Sequence, residues 1–302
     1  MVGMNGSTDR ADIGIVIVNW NTRDLLKRCL ESVFASAGVS ACVCVVDNAS
    51  HDGSAEMVAA EFPQARLIAN LRNIGYPAAN NQGLRLLGFE GEALDAPRYA
   101  LLLNPDTEVP PDALAEVMAF ADVHSDAAVV GPKLVRLDGS LDLACRRSFP
   151  TPIISFYRMI GLSRLFPRSR LFGRYNLTYL DENETAEVDS VVGAFMLVRR
   201  EAIADIGLLD EAFFMYGEDL DWAYRMKARG WRILYYPQVT VLHVKRASSR
   251  QNPRARIEFW RAMEIFYRKH YAQTTLLPLH LAIVSALRLQ TRFTQWRARL
   301  QS

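Results

Sequence analysis

The sequence predicts an α/β fold, a mostly parallel sheet with helices packed on its faces. Three observations carry that expectation. Four times before residue 122, a short apolar run is followed by a stretch whose apolar residues recur at helical spacing. The polar residues of this region fall at the ends of the apolar runs, on what should be one rim of a sheet. At 302 residues, 50% hydrophobic and 23% charged, the chain has ample material for a large core and the make-up of a folded protein.

Residues 13–19, IGIVIVN, form a β-branched run of the kind buried on both faces of a sheet. Leu25, Leu26, Cys29, Leu30 and Val33 then mark one face of a helix. The unit recurs: CVCVVDN (42–48) precedes a helix near 53–61, ARLIAN (65–70) one near 77–88, and RYALLLN (98–104) one near 111–121. Strands alternating with helices imply right-handed crossovers, with ligands bound beyond the carboxyl ends of the strands. Asn19, Asp47 with Asn48, Asn70 with Asn73, and Asn104 with Asp106 all sit at those ends.

After Val130 the pattern changes to an expected hairpin over 132–146, turning at Asp138-Gly139. Residues 149–184, rich in Arg, Pro and Phe, show no sustained period and are expected to be functional or mobile. Regularity returns with a strand at 187–199, a helix opening near Glu218, and strands at 231–237 and 239–244. Beyond Asn252 the chain reads as helical. The expected division is a loose N-terminal tail over 1–11, one domain over 12–250, and a basic amphipathic helical tail over 251–302.

Charge separates that tail from the body. From Lys245 onward there are twelve Lys and Arg against Glu258 and Glu264; of the chain's 35 basic and 33 acidic residues, 23 and 31 lie before it. Cys29, Cys42, Cys44 and Cys145 lack paired CxxC spacing and read as reduced core residues of a cytosolic protein. The first residues lack the basic patch and apolar stretch of a signal peptide.

There is no GxGxxG after a strand and no GxxxxGK[ST], so neither glycine-rich phosphate cradle is available. A diphosphate at this rim would need a cation instead. Asp106, fixed by a rigid strand and by Pro105, offers a carboxylate for a hard divalent ion, though NPD is also good turn and helix-entry sequence. Glu218, Asp219 and Asp221 crowd into four residues beside Gly217 and between aromatics. They could complement a helix dipole or supply a partly desolvated general base. His243, at the end of VTVLHV, is by itself more often a structural residue than a ligand unless a metal is argued independently.

In order along the chain, VIVNWN, VVDNASHDGS, NLRNIGYPAANNQGL, LLLNPDTEV, the long stretch from Val191 to Pro237 and VLHV resemble the family 2 inverting glycosyltransferases with the Rossmann-like GT-A fold. More narrowly they are similar to its bacterial rhamnosyltransferase branch. The resemblance covers about residues 12–250. It implies that Asn19, Asp47, Asn73, Asn80 and Asn104 face the donor nucleotide, that Asp106 and His243 hold Mg²⁺ or Mn²⁺, and that Glu218 and Asp219 supply the catalytic acid pair, with Asp219 favoured as base. One departure is that Asn104 stands where the family's Asp-x-Asp motif has its first acid, which leaves Asp106 its only carboxylate.

The implied reaction is inverting transfer from a nucleoside-diphosphate sugar, with dTDP-L-rhamnose favoured, to a glycan or polyprenyl-linked acceptor in surface polysaccharide synthesis. Galactofuranose, N-acetylhexosamine or glucose donors are alternatives on the same fold, and a non-catalytic sugar-nucleotide-binding module is the rival from another class. No nucleic-acid partner is expected, and homo-oligomerisation is left open. Residues 276–287, an apolar block followed by Arg288, Arg292, Arg297 and Arg299, suggest a peripheral protein on the cytoplasmic face of the inner membrane.

Overall fold

A computed structural model describes residues 11–91, 96–245 and 253–300. Almost all of the expected N-terminal tail, and residues 246–252, lie outside the described residues. The first half follows the predicted order: β1 (Ile13–Asn19), α1 (Arg23–Phe34), β2 (Ala41–Asp47), α2 (Ser54–Glu61), β3 (Arg66–Ala69), α3 (Tyr76–Leu86), β4 (Tyr99–Leu103), β5 (Thr107–Glu108) and α4 (Ala113–Val123). The five residues expected to form the apolar stripe of α1 are the five it buries. β6 (Ala127–Val135), α5 (Pro152–Met159), α6 (Leu162–Leu165), β7 (Ala186–Glu187), β8 (Phe195–Arg199), α7 (Arg200–Ile206), α8 (Glu218–Ala228) and β9 (Arg232–His243) complete the body. α9 (Pro253–His270) and α10 (Leu277–Arg299) follow.

The nine strands of the described residues form one sheet in the order β3-β2-β1-β4-β8-β6-β9-β5, with β7 on β9. β1 to β4 are mutually parallel, and β6 runs parallel to β9. β8 runs antiparallel between β4 and β6, and the two-residue strands β5 and β7 pair antiparallel with β9. The fully buried central strands explain the unbroken apolar runs, because residues on both faces of the sheet are covered by helices.

Three expectations need correction. The hairpin over 132–146 turns at Asp138-Gly139 as expected, with Gly139 at φ +77°, but it is far shorter than expected: beyond β6 only one antiparallel bridge, Val135 to Leu141, pairs across it. The strand over 187–199 is two, β7 and β8, separated by a loop carrying Gly193. The segments 231–237 and 239–244 are one strand, because a register shift opposite Pro132 and Lys133 absorbs residues 237–239.

These details aim the rim. Asn19 pairs in register with Asp47, so the carboxyl ends of β1 and β2 coincide. Thr107 pairs with His243, and the Val244 amide donates to the Asp106 carbonyl at 2.8 Å. That two-residue strand brings residue 106 beside residue 243. α9 is bound to the body: Ala262 and Phe266 pack on Phe213 and Leu220 in a small second core, and His270 reaches Asp221 at 2.7 Å.

Candidate active site

Two clusters of side chains meet at Tyr76, the first residue of α3. Its hydroxyl lies 3.1 Å from Asn104 Oδ1 and 3.0 Å from the Gly193 carbonyl. The Gly193 amide donates to Asp219 Oδ2 at 3.1 Å. Burial, with help from the charges of Glu218, Asp219 and Asp106, raises the phenol above its ordinary range. The strand-end residues 104–106 and the acid pair 218–219, more than a hundred residues apart, therefore share one site.

The chain's local chemistry builds this contact. Gly75 has φ +93°, and a Cβ there would lie 2.7 Å from the Phe214 carbonyl oxygen. Its lack of a side chain lets the loop before the acid pair approach, and the Tyr76 amide donates to that same carbonyl at 2.8 Å. Gly217, at φ +82°, turns the chain into α8 so that Glu218 and Asp219 occupy the first turn.

The two acids are in different states. Asp219 Oδ2 accepts from Arg147 Nη2 at 2.7 Å as well as from Gly193, and Oδ1 accepts from the Leu220 amide at 2.7 Å. Arg147 is itself buried, so this is a desolvated ion pair. Glu218 is equally buried, and its Oε2 has no partner. Desolvation first, and the neighbouring Asp219 charge second, push its carboxyl up to about 8. The third acid, Asp221, is wholly buried and bonded to Arg225, Lys269 and His270, where it ties α9 to α8.

On the other side, His243 Nε2 lies 3.3 Å from Asp106 Oδ1, and its Nδ1 lies 2.9 Å from Asp142 Oδ2. Burial alone would lower the imidazole's proton affinity, but the two carboxylates outweigh it and raise it to about 9. Burial would likewise raise Asp142, yet His243 and Lys245 hold it well below the usual carboxylate range. A carboxylate on the far nitrogen is the arrangement that orients a metal-ligating histidine.

Among the described residues no group of three or more His, Cys, Asp or Glu converges as a metal cage. The Asp106 carboxylate nevertheless fits a hard divalent ion of the Mg²⁺ type, which takes one or two protein carboxylates and completes its shell with phosphate oxygens and water, and a neutral His243 imidazole stands beside it as a second donor. Asn104 stands aside from that pair, since its side-chain oxygen faces Tyr76.

The residues expected to face the nucleotide divide. Asp47, at the carboxyl end of β2, is only 3% exposed and accepts from Asn19 at 2.9 Å and from the Ser50 amide at 2.9 Å. Asn73, half-buried, accepts from Asn48 Nδ2 and the Gly75 amide at 3.0 Å each. Asn19 and Asn80 differ from expectation, because both are fully buried and present no surface to a ligand. Asn19 spends its amide on Asp47 and Ser50, while Asn80 donates to the Tyr76 carbonyl of its own helix at 2.9 Å. They position Asp47 and Tyr76.

Sequence reasoning missed Tyr76, Asp142 and Arg147. Tyr76 carried a weak signal, a hydroxyl beside Gly75 just past a strand end. Asp142 and Arg147 carried none, since each matters through a partner 101 or 72 residues away.

A glycosyltransferase-like family 2 model matches residues 10–257. The chain is 29% identical over 242 residues to an N-acetylglucosaminyl-diphospho-decaprenol L-rhamnosyltransferase of Mycobacterium tuberculosis, covering 79% of this chain and 78% of that one. Its fold is similar to two solved glycosyltransferase structures. S. aureus TarS superposes with a TM-score of 0.55 at 15% identity, over 85% of this chain and 39% of that one. GalNAc-T7, solved with UDP, GalNAc and Mn²⁺, superposes with a TM-score of 0.56 at 16% identity, over 89% of this chain and 52% of that one. This chain thus spans about half the length of those structures or less. Both share the GT-A architecture.

Proposed function

The chain belongs to glycosyltransferase family 2, and from that premise we propose that it moves L-rhamnose from dTDP-L-rhamnose, with inversion, to a glycan or polyprenyl-diphosphate-linked acceptor in surface polysaccharide synthesis. The observation that carries this reading is the meeting at Tyr76 of the strand-end residues Asn104 and Asp106 with the acid pair Glu218 and Asp219. The name of the mycobacterial relative supports both the sugar and the lipid-linked acceptor.

Glycosyl transfer asks for removal of the acceptor proton, attack opposite the leaving group and stabilisation of the departing diphosphate. Asp47 and Asn73 contact the donor nucleoside, backed by Asn19 and Asn80. Asp106 and, in its neutral form, His243 would hold Mg²⁺ or Mn²⁺, which would supply Lewis-acid stabilisation of the leaving nucleotide. Asp142 keeps the His243 ring in register through Nδ1. Asp219 takes the acceptor proton: three donors fix its carboxylate, which leaves one of its roughly four acceptor positions free. Glu218, holding its proton below about pH 8, donates to the acceptor and does not compete for the base role.

The protein works at the cytoplasmic face of the inner membrane, with α10 lying along it. Among the described residues no helix is long and apolar enough to cross a membrane.

A thermal-shift screen of dTDP, UDP and GDP sugars, with and without Mn²⁺, tests the reading. The expected result is a Mn²⁺-dependent rise in melting temperature with dTDP-L-rhamnose, since a ligand bound only by the native state stabilises it, and loss of that rise in Asp106→Ala. No response to any of these donors would overturn it.

A further inference from the structure

The segment over residues 152–174 presents its apolar side chains to solvent. Ile153, Phe156, Met159, Ile160, Leu165, Phe166 and Leu171 are each about half exposed or more. On α5 and its C-cap, Ile153, Phe156 and Ile160 follow i, i+3, i+7 spacing, so one helical face is apolar and turned outward, whereas Ile154 is the buried residue of the helix. A stripe of this size on a globular surface marks a place that something covers.

The charge around the stripe says what that is. Between Ser148 and Leu180 there is no Asp or Glu, but there are five arginines: Arg158, Arg164, Arg168, Arg170 and Arg174. All five are exposed, and none forms an ion pair among the described residues; Arg158 lies over the Tyr175 ring, 4.2 Å from its centroid. Apolar side chains interleaved with unneutralised guanidinium groups suit an interface that is anionic on its surface and hydrocarbon beneath. A protein groove would more often carry matching acids.

The surroundings continue the surface. A cavity of about 360 Å³ opens beside α5, lined mostly by apolar and aromatic side chains such as Phe149, Ile154, Tyr157 and Tyr271, with Arg174 and one acid, Asp189, at its wall. Tyr271 stands at the corner between α9 and α10, where Leu276, Leu277 and Leu279 are also exposed. Phe149 is two residues from Arg147, the partner of Asp219. The outward-facing segment and the acid pair are thus joined by a short length of chain.

We infer that residues 152–174 form an anionic-lipid-binding element that seats the protein on a bilayer. The inference deepens the reading of a membrane-borne acceptor but is tested apart from it, because lipid binding requires neither donor nor acceptor.

The experiment is flotation of the full chain with vesicles of phosphatidylcholine alone or mixed with phosphatidylglycerol. Two triple variants are compared with wild type: Phe156→Ser, Leu165→Ser, Phe166→Ser, and Arg164→Glu, Arg168→Glu, Arg170→Glu. A basic residue near an anionic surface is worth about fivefold in partitioning, so each variant is expected to bind mixed vesicles at least about tenfold more weakly. Wild type is expected to release at high salt and to bind neutral vesicles poorly.

Wild-type binding by either variant overturns the inference, as does equal binding of wild type to neutral vesicles. So does a wild-type dimer that the apolar variant converts to a monomer, which assigns the face to a second copy. The variants alter exposed positions, and an unchanged melting temperature checks that both fold. A donor-induced thermal shift measured in the same preparations reports on sugar-nucleotide binding separately.

Discussion

Arg147 and Asp219 lie 72 residues apart in sequence and 2.7 Å apart in the structure, both shielded from water. Removing one partner of such a pair strands the other's charge, so Arg147→Met is expected to cost ~3–5 kcal/mol. Urea denaturation measures it; a change under about 1 kcal/mol would show that the pair is not desolvated as described. Glu218 supplies a pH signature. Its folded-state affinity for a proton is raised from 4.5 to about 8, so its contribution to stability is fully present below about pH 4.5 and is lost as pH rises through 8. Glu218→Gln, neutral at every pH, is expected to flatten the fall in stability between pH 5 and 8. A slope equal to that of wild type contradicts the assigned environment. Residue types at strand ends and helix starts could be read from the sequence, and Asp106, at a strand end, and Glu218 and Asp219, crowded beside Gly217, were singled out that way. Their partners could not, because an arginine gains its meaning here only when β8 and α8 bring Gly193 and Asp219 to it.

Elements were legible where a period repeated and lost where the chain bent. The four strand-helix units at the start were predicted within a few residues, since apolar spacing is set by burial against the same sheet. Apart from the shortened hairpin after β6, the errors fell at β8 and β9, where a seven-residue loop and a bulge interrupt apolar runs without changing their composition. Both irregularities serve the site: the loop delivers the Gly193 amide to Asp219, and the far end of β9 delivers His243 to Asp106. The close pass of α3 beneath the loop at Phe214 is equally specific. Gly75→Ala would need to clear a backbone oxygen at 2.7 Å while holding φ at +93°, so ~1–3 kcal/mol of destabilisation is expected, with a fall in turnover as the 214–217 loop moves away. Wild-type stability and activity in that variant would mean that the approach is not required.

Across the whole molecule, an acidic body carries a basic end, but the end is not a free appendage. α9 is fastened by Phe266, Lys269 and His270, and α10 rests on α9 through Tyr267–His280 and Glu264–Arg288 contacts. The charge asymmetry was plain in the sequence; the docking of α9 was not, since it depends on Phe213 and Asp221 being presented together. Truncation after residue 272 removes the exposed apolar side chains of α10 with Arg288, Arg292, Arg297 and Arg299. It is expected to weaken sedimentation with anionic vesicles at least about fivefold without abolishing it. Sedimentation equal to that of the full chain would remove α10 from the membrane contact. The central claim is that this arrangement transfers a sugar with Asp219 as the base, and the rate of sugar transfer by Asp219→Asn tests it most directly when measured beside wild type and Glu218→Gln at saturating donor. The account predicts a fall of ~10²–10⁴-fold for Asp219→Asn and less than about tenfold for Glu218→Gln. Near-normal transfer by Asp219→Asn, with Glu218→Gln folded but inactive, would contradict it.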